Sequence, residues 1–280
     1  MLISLYGSHH INVSTSNIST YNISTDNEFK NSLYLCSMKK YGLIGKSLSH
    51  SWSPAWFADK FEREGIADAE YRLYEMDTVE RLRQWVEENG IDGFNVTIPF
   101  KEQVMPCLDR IDDFARRVGA VNCVEVRDGV LVGHNTDAPA FAETLAPHLR
   151  PWHTHALVLG TGGASRAVAS ALEGMGIEYL LVSRNPAGRD GVISYQQAED
   201  LSASRLLLVN TTPVGMYPHI GQTPWPNAGV LTPRHLCYDL VYNPAPTLFL
   251  RQAAQAGAAF CNGRAMLHRQ AELSWHFWNQ

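Results

Sequence analysis

Apolar and polar positions along the first half of the chain predict strands and helices in alternation. Short apolar runs at 41–44, 71–74 and 93–96 are separated by turns and by stretches with helical spacing. A βαβαβ order of this kind is typical of a largely parallel sheet. Ser53 and Pro54 suit the start of the first helix, the serine as N-cap and the proline in the first turn.

The pattern changes after residue 99. Helical segments lead there to two strands that flank Asp128-Gly129, a dipeptide that favours a tight hairpin. A helix-like stretch then follows at 138–149, and Thr136 could cap its start. This helix is a plausible bridge between two domains. The first of these domains is predicted to be α/β with an antiparallel addition.

The second half is organised around a strand, a glycine loop and a helix. The apolar run 157–159 leads into Gly160-Thr161-Gly162-Gly163-Ala164-Ser165, and a helical stretch follows. Gly160 allows a sharp turn, Gly162 lets a pyrophosphate approach the backbone, and the helix amino end offers N–H groups. Because a second strand is predicted at 179–182, a dinucleotide site is favoured, and an ordinary strand-to-helix turn is the alternative.

Further alternation continues downstream of the glycine loop. Strands are predicted at 205–209 and 236–240, with a helix at 247–256. This pattern predicts a doubly wound second domain. The last helix, 266–277, could pack on either domain, because its periodicity does not distinguish between them.

The end of the second strand in this domain bears on the choice of cofactor. An NAD site commonly carries Asp or Glu about 20 residues after the glycines, where it binds the ribose 2′-hydroxyl. Here the sequence reads Val182-Ser183-Arg184-Asn185, without a carboxylate. The guanidinium of Arg184 can bind a 2′-phosphate and stack on adenine. NADP is therefore favoured over NAD, with a solvated strand-end arginine as the alternative.

Polar side chains collect at the predicted strand ends of the first domain. Asn95 and Thr97 alternate onto one face at a strand end, and Lys101 follows a proline turn. Asn122 lies on another strand, and Asp137 belongs to the end of a third. The carboxyl edge of a parallel sheet is where α/β proteins bind ligands. A Lys–Asp pair can orient a hydroxyl and transfer its proton. Taken singly, each residue also suits a strand-end cap, a surface group or a salt bridge.

Charge and cysteine usage narrow the class of protein. The net charge is −5 and Lys and Arg form no dense block, which argues against a nucleic-acid surface. Five scattered cysteines without a C-x-x-C pair are expected to be reduced thiols of a cytoplasmic protein, so no metal site is predicted. No apolar run reaches the roughly 18 residues of a membrane span. We expect a small-molecule substrate and a monomer or homodimer.

Six motifs occur in an order that is specific in combination. They are Ser51-Trp52-Ser53-Pro54, Asn95-Val96-Thr97-Ile98-Pro99-Phe100-Lys101, Gly119-Ala120-Val121-Asn122, Asn135-Thr136-Asp137, Gly160-Thr161-Gly162-Gly163-Ala164-Ser165-Arg166 and Met266-Leu267-His268-Arg269-Gln270. From residue 40 onwards the chain thus resembles the shikimate dehydrogenase family. The resemblance implies an N-terminal α/β substrate domain, a Rossmann-type NADP-binding domain and a cleft between them. It also implies NADPH-dependent reduction of 3-dehydroshikimate to shikimate, a step towards chorismate and the aromatic amino acids.

The resemblance also implies roles for individual residues. Lys101 and Asp137 would be the catalytic pair, which stabilises and protonates the alkoxide formed by hydride transfer. The residues implied to bind substrate are Ser51, Ser53, Asn95, Thr97, Asn122, Tyr242 and Gln270, with both serines and Tyr242 at its carboxylate. The residues implied to bind NADP are Gly160, Thr161, Gly162, Gly163, Ala164, Ser165, Ser183, Arg184, Asn185, Leu240 and Gly263, the last two at the nicotinamide.

Domain boundaries follow from the pattern and the resemblance together. Residues 38–137 would form the substrate-binding and catalytic domain, completed by a returning C-terminal helix, 264–280. Residues 138–263 would form the Rossmann-type domain. Residues 1–37, in which the stretch 14–26 is dense in Ser, Thr, Asn and Ile, are expected to be a disordered extension, with an added strand or an adhesive arm as the alternative.

Three rival functions remain open on the sequence. A quinate/shikimate dehydrogenase that uses NAD or NADP would share most motifs but is expected to carry an acidic residue near Arg184. A methylene-tetrahydrofolate dehydrogenase would need a pterin pocket. A non-catalytic NADP-binding sensor would not need Lys101 and Asp137, and their presence argues against it.

Overall fold

The computed structural model describes residues 38–49, 51–186 and 188–280. Within these ranges the chain forms two six-stranded sheets flanked by helices, so the predicted α/β class is confirmed. The expectation for residues 1–37 lies outside the described residues. Among the helices described, none combines the length and apolar character of a membrane span.

The N-terminal sheet joins a parallel unit to an antiparallel hairpin. Its strands are β1 (Lys39–Gly45), β2 (Ala69–Glu75), β3 (Gly93–Val96), β4 (Arg110–Ile111), β5 (Cys123–Arg127) and β6 (Val130–His134). They lie in the order β2-β1-β3-β5-β6-β4, and only β5 runs antiparallel to its neighbours. Asp128 and Gly129, with φ of 52° and 77°, turn the hairpin. The predicted parallel unit and its antiparallel addition are both confirmed.

Helices of this half begin differently from the prediction. They are α1 (Ser53–Glu64), α2 (Leu82–Asn89), α3 (Phe100–Gln103), α4 (Asp113–Val118) and α5 (Asp137–Leu145). The predicted caps are wrong: α1 starts at Ser53 without a side-chain cap, and the Thr136 hydroxyl does not cap α5. Asn135 Oδ1 instead accepts a hydrogen bond from the Ala138 N–H at 3.0 Å. The Ser53 hydroxyl bonds to Tyr71 and the Thr136 hydroxyl bonds to Asn122, so neither is available to cap its own helix.

The C-terminal sheet is parallel throughout. Its strands are β7 (His155–Leu159), β8 (Glu178–Val182), β9 (Val192–Ile193), β10 (Leu207–Asn210), β11 (Leu236–Asp239) and β12 (Ala259–Asn262). The helices of this half are α6 (Gly163–Gly174), α7 (Tyr195–Leu201) and α8 (Leu248–Gln255). The last helix of the chain is α9 (Arg264–Trp278). The strands lie in the order β9-β8-β7-β10-β11-β12. Numbered within this sheet, that order is 3-2-1-4-5-6, which is the Rossmann order. The doubly wound prediction is confirmed.

The central strand β7 explains the continuous apolar run that precedes the glycine loop. Leu157, Val158 and Leu159 are all fully buried. Val158 packs on the same face as Ala167 of α6, whereas the two leucines pack into the core on the opposite face. A strand covered on both faces needs apolar residues at every position. The glycine loop therefore follows a strand that is buried on both faces of its sheet.

The last helix packs on the N-terminal sheet. The Trp278 ring stacks on Tyr41 with centroids 4.7 Å apart, and its Nε1 donates to the Val124 carbonyl at 3.0 Å. A Cβ atom at Gly93 would lie 2.5 Å from Trp278 Cδ1, so only glycine fits beneath the indole. This contact determines the position that helical periodicity alone left open.

Candidate active site

Lys101 and Asp137 form an ion pair at one edge of the N-terminal sheet. Because β5 is antiparallel to both neighbours, β3 and β6 run in the same direction and their carboxyl ends share this edge. Lys101 follows β3 in α3, and Asp137 follows β6 as the first residue of α5. The Nζ–Oδ2 distance is 2.6 Å, and the side chains are 16 % and 10 % exposed. The charge-assisted bond orients the ammonium and leaves it accessible.

The glycine loop of the C-terminal sheet lies directly against this pair. A Cβ atom at Gly163 would be 3.6 Å from Lys101 Cβ and 3.8 Å from Lys101 Cδ. The neighbouring side chains Glu102 and Arg166 join the same two elements by an ion pair at 2.9 Å. The structure thus brings the predicted catalytic pair and the predicted cofactor loop to opposite sides of one cleft.

A cavity of about 810 Å³ opens between these elements. The predicted site residues that line it are Thr97, Lys101, Gly160, Thr161, Gly162, Gly163, Ala164, Ser183 and Arg184. Lining residues that were not predicted from the sequence include Tyr195, Thr211, Thr212, Val214 and Gln222. The cavity spans the ends of β7 and β10, where the strand order reverses and α/β proteins bind ligands. The position of Thr211 and Thr212 just after β10 is the signal that could have identified them.

The glycine loop has the backbone geometry that a pyrophosphate site needs. Gly160 has a φ of 115°, and a Cβ atom there would lie 2.7 Å from Thr211 Oγ1. Around Gly162, by contrast, no atom lies within 4 Å of a Cβ position, so the main chain faces open space. Ser165 is buried, and its hydroxyl donates to the Gly162 carbonyl at 2.6 Å. The loop therefore fits a dinucleotide, with N–H groups at the start of α6 free to bind phosphate.

Two guanidinium groups lie near the end of β8. Arg184 lines the cavity, and Arg189 Nη2 donates to Ser183 Oγ at 3.1 Å and to the Asn185 carbonyl at 2.6 Å. Burial raises the pKa of Tyr195, and the charge of Arg184 opposes that rise, which places the phenol near this guanidinium. Arg189 was not predicted from the sequence, although its position shortly after Arg184 in the chain was a usable signal.

Leu240 and Gly263 meet at the end of β11. A Cβ atom at Gly263 would lie 2.1 Å from the Leu240 carbonyl oxygen, which excludes every side chain at that position. The structure therefore brings these two predicted cofactor residues together. They do not line the main cavity.

The predicted substrate residues of the strand ends form a buried polar group. Asn122 Nδ2 donates to Thr136 Oγ1 at 2.9 Å, and the Thr136 N–H donates back to Asn122 Oδ1 at 2.7 Å. Asn95 Nδ2 donates to the Asn122 carbonyl at 3.2 Å. Gln270 Nε2 donates to the Leu267 carbonyl within its own helix at 2.9 Å. The reciprocal Asn122–Thr136 pair fixes the backbone immediately before Asp137.

The two predicted carboxylate-binding serines lie in the loop between β1 and α1. The Ser51 N–H donates to the Leu48 carbonyl at 2.8 Å, and the Ser53 N–H lies 3.4 Å from Ser51 Oγ. Burial raises the pKa of Tyr242, and a hydrogen bond with the Trp52 backbone opposes that rise. Tyr242, which follows β11, thus reaches the serine loop.

Comparisons with known proteins agree with this arrangement. The family described as shikimate dehydrogenase substrate binding domain matches residues 43–124. A shikimate dehydrogenase (NADP+) of Clostridium beijerinckii is 37 % identical over 252 residues, which cover 87 % of this chain and 93 % of that protein.

Solved structures show the same similarity in three dimensions. Shikimate 5-dehydrogenase from Thermus thermophilus, in complex with NADP(H) and shikimate, has a TM-score of 0.76 at 35 % identity, over 86 % of this chain and 93 % of that one. Quinate dehydrogenase from Corynebacterium glutamicum, in complex with NAD, has a TM-score of 0.77 at 28 % identity, over 86 % of this chain and 93 % of that one. Since the curated relative matches most of both chains well above 30 % identity, this chain belongs to the shikimate dehydrogenase family.

Proposed function

We propose that this protein catalyses the reversible, NADP-dependent interconversion of 3-dehydroshikimate and shikimate. The observation that carries the proposal is the Lys101–Asp137 pair, held at 2.6 Å and seated against Gly163 of the glycine loop. A proton donor thereby lies beside the predicted cofactor cradle, as reduction of a ketone requires. A family member of known structure holds NADP(H) and shikimate together.

The chain's own residues supply proton transfer and orientation. NADP(H), when bound, supplies or accepts the hydride. Lys101 donates a proton to the substrate oxygen as negative charge develops there, and the hydrogen bond from Lys101 Nζ to Asp137 Oδ2 orients the ammonium. Burial of both side chains strengthens the interaction with the developing alkoxide.

The remaining predicted site residues take the roles that the family implies. Substrate would lie among Ser51, Ser53, Asn95, Thr97, Asn122, Tyr242 and Gln270. NADP would lie along 160–165, with its 2′-phosphate at Ser183, Arg184 and Asn185 and its nicotinamide near Leu240 and Gly263. The buried polar group, the cavity lining and the Leu240–Gly263 contact support these roles.

The proposal extends to domain organisation and setting. Residues 38–137 with 264–280 would be the substrate domain, and 138–263 the NADP-binding domain, which the two separate sheets support. A cytoplasmic location and a monomeric or homodimeric state are proposed from the sequence. The four cysteines of the described residues are all free thiols, which supports the location.

Two alternatives differ in cofactor or in activity. A quinate dehydrogenase that uses NAD needs an acceptor for the ribose hydroxyl, whereas the cavity here carries Arg184 at the end of β8. A non-catalytic sensor has no use for an oriented, partly buried Lys–Asp pair. Neither alternative explains the site as well as the proposed reaction.

A cofactor-absorbance assay tests the proposal. Purified protein is mixed with shikimate and NADP+, and formation of the reduced nicotinamide is followed. We expect turnover that disappears in Lys101→Ala. Parallel reactions with quinate and with NAD+ measure selectivity, and faster turnover of quinate with NAD+ would replace this proposal with the quinate alternative. Binding of NADP+ without any turnover would support the sensor.

A further inference from the structure

We propose that Tyr71 and Ser274 are positioning residues that fix the orientation of the Asn95 side-chain amide, so that Asn95 meets the substrate only as a hydrogen-bond acceptor. The inference rests on the proposed function, because it concerns how that substrate is recognised. It adds two residues that neither the sequence motifs nor the cavity lining singled out.

The Asn95 amide is held by three hydrogen bonds. The Tyr71 hydroxyl donates to Asn95 Oδ1 at 2.9 Å, and Asn95 Nδ2 donates to Ser274 Oγ at 2.8 Å and to the Asn122 carbonyl at 3.2 Å. Asn95 is 5 % exposed and Ser274 is fully buried. Both N–H groups of the amide are therefore used within the protein. Only a lone pair of Oδ1 remains for a ligand.

The reverse orientation of this amide is excluded by its neighbours. A backbone carbonyl such as that of Asn122 can only accept, so the amide atom facing it must be Nδ2. The Ser274 hydroxyl donates its single proton to the Gln270 carbonyl at 2.9 Å, so Ser274 also presents an acceptor to Asn95. A rotated amide would place Oδ1 against two oxygen atoms without protons.

Tyr71 and Ser274 also connect Asn95 to other predicted substrate residues. The Ser53 hydroxyl hydrogen-bonds to Tyr71, and the Tyr71 ring stacks on Phe57 with centroids 4.1 Å apart. Burial raises the pKa of Tyr71 well above its usual value, so its hydroxyl keeps the proton that Asn95 accepts. A single chain of bonds thus runs from the serine loop through Tyr71 and Asn95 to α9.

Recognition of the substrate follows from this fixed polarity. Since both Asn95 N–H groups are used and Oδ1 has only a lone pair left, the substrate group opposite Asn95 must be a hydroxyl that donates; an acceptor there would face another acceptor with no proton between them. An analogue with an acceptor at that position would be rejected. Tyr71 and Ser274 impose this selection without touching the substrate themselves.

The first test compares Tyr71→Phe with Tyr74→Phe, a matched loss of one hydroxyl from the same strand. In Tyr71→Phe the KM for shikimate should rise about tenfold, because one hydrogen bond that orients Asn95 is lost. The KM for NADP+ should not change, and Tyr74→Phe should keep both constants. Ser274→Ala should act like Tyr71→Phe, whereas Ser202→Ala, at a buried serine that follows α7 in the C-terminal half, should not.

A double-mutant cycle tests whether Tyr71 acts through Asn95. Asn95→Ala should raise the KM for shikimate, and adding Tyr71→Phe to that variant should raise it no further. Additive effects would overturn the proposal. So would an equal loss of kcat with both substrates and unchanged KM values, since that pattern reports a smaller folded fraction.

A measurement independent of turnover separates this proposal from the proposed function. By NMR, the two Asn95 Nδ2 protons, assigned by their absence in Asn95→Asp, should exchange slowly in the wild type and faster in Ser274→Ala. Rapid exchange in the wild type overturns the positioning role even if shikimate is turned over. Wild-type protein that fails to oxidise shikimate overturns the proposed function, and the exchange experiment still decides the orientation.

Discussion

Lys101 satisfies two geometric requirements of a proton donor at once. Its ammonium is paired with Asp137 at 2.6 Å, and its aliphatic stem lies beside Gly163. The ion pair with Asp137 fixes the orientation of the ammonium. The contact between the aliphatic stem and Gly163 places the side chain beside the glycine loop. The group therefore acts mainly when negative charge develops on the substrate oxygen.

Lys101→Ala tests this role. We expect kcat to fall by about 10²–10⁴-fold, the usual contribution of a positioned general acid, with little change in the KM for shikimate. Steady-state kinetics of the variant and of Lys39→Ala, which removes an exposed lysine from the start of β1, make the comparison. An unchanged kcat in Lys101→Ala would remove Lys101 from the mechanism.

Asp239 is a second unusual residue, at the end of β11. It is fully buried, and it accepts hydrogen bonds from Asn210 Nδ2 at 2.8 Å, the Val241 N–H at 3.0 Å and the Thr247 hydroxyl at 2.6 Å. Burial raises the pKa of Asp239 from 3.8 to about 6, and these hydrogen bonds oppose the rise. The folded protein therefore binds this proton more tightly than the unfolded chain.

This shift predicts a pH dependence of stability. Asp239 stabilises the folded state below about pH 4, and that contribution is lost as pH rises through 6. The difference corresponds to about 3 kcal/mol. In urea titrations, the wild type should lose up to that amount of unfolding free energy between about pH 4 and pH 7, whereas Asp239→Asn should not. The unfolding free energy of the variant minus that of the wild type should therefore increase with pH. A difference that stays constant with pH would contradict the shift.

At the scale of the element, the glycine loop divides its tasks between two glycines. Gly160 allows a left-handed turn packed against Thr211, whereas Gly162 leaves open space over the main chain. The first property serves folding, because a side chain would be strained there. The second serves ligand binding, because a side chain would occupy the approach of a phosphate.

Substitution by alanine should separate these tasks. Gly160→Ala should lower the free energy of unfolding by about 1–3 kcal/mol, from the positive φ and the contact with Thr211. Gly162→Ala should leave unfolding unchanged and raise the Kd for NADP+ by about tenfold or more, because the methyl group would hold the pyrophosphate away from the backbone. Chemical denaturation and cofactor titration of both variants measure the two effects. Equal loss of stability in both variants would contradict the division.

Local patterns predicted most elements, and tertiary contacts determined what those patterns missed. The strand–loop–helix around Gly160 is specified by adjacent residues, so its position and type are predicted from the sequence. The caps at Ser53 and Thr136 failed because each hydroxyl bonds to a residue from another element. Tyr71 and Ser274 belong to the site only through contacts across the fold, and no local signal marks them.

At the scale of the whole molecule, Gly93 couples the N-terminal sheet to α9. Gly93→Ala should cost about 1–3 kcal/mol of stability, because the new methyl would overlap the Trp278 indole. Gly174→Ala is a suitable control, since nothing lies within 4 Å of its Cβ position. Urea unfolding of both variants gives the comparison. A stable Gly93→Ala protein would show that α9 can move away without cost.

Because α9 packs on the N-terminal sheet, that sheet cannot complete its folding during synthesis until the end of the chain has been made. The aromatic face around Tyr41 is synthesised early, but its cover, Trp278, emerges only after all six strands of the other sheet. During that interval the aromatic face of the nascent sheet is without the cover that α9 later supplies. A rearranged gene in which α9 precedes β1 would let the N-terminal sheet close as soon as it is made.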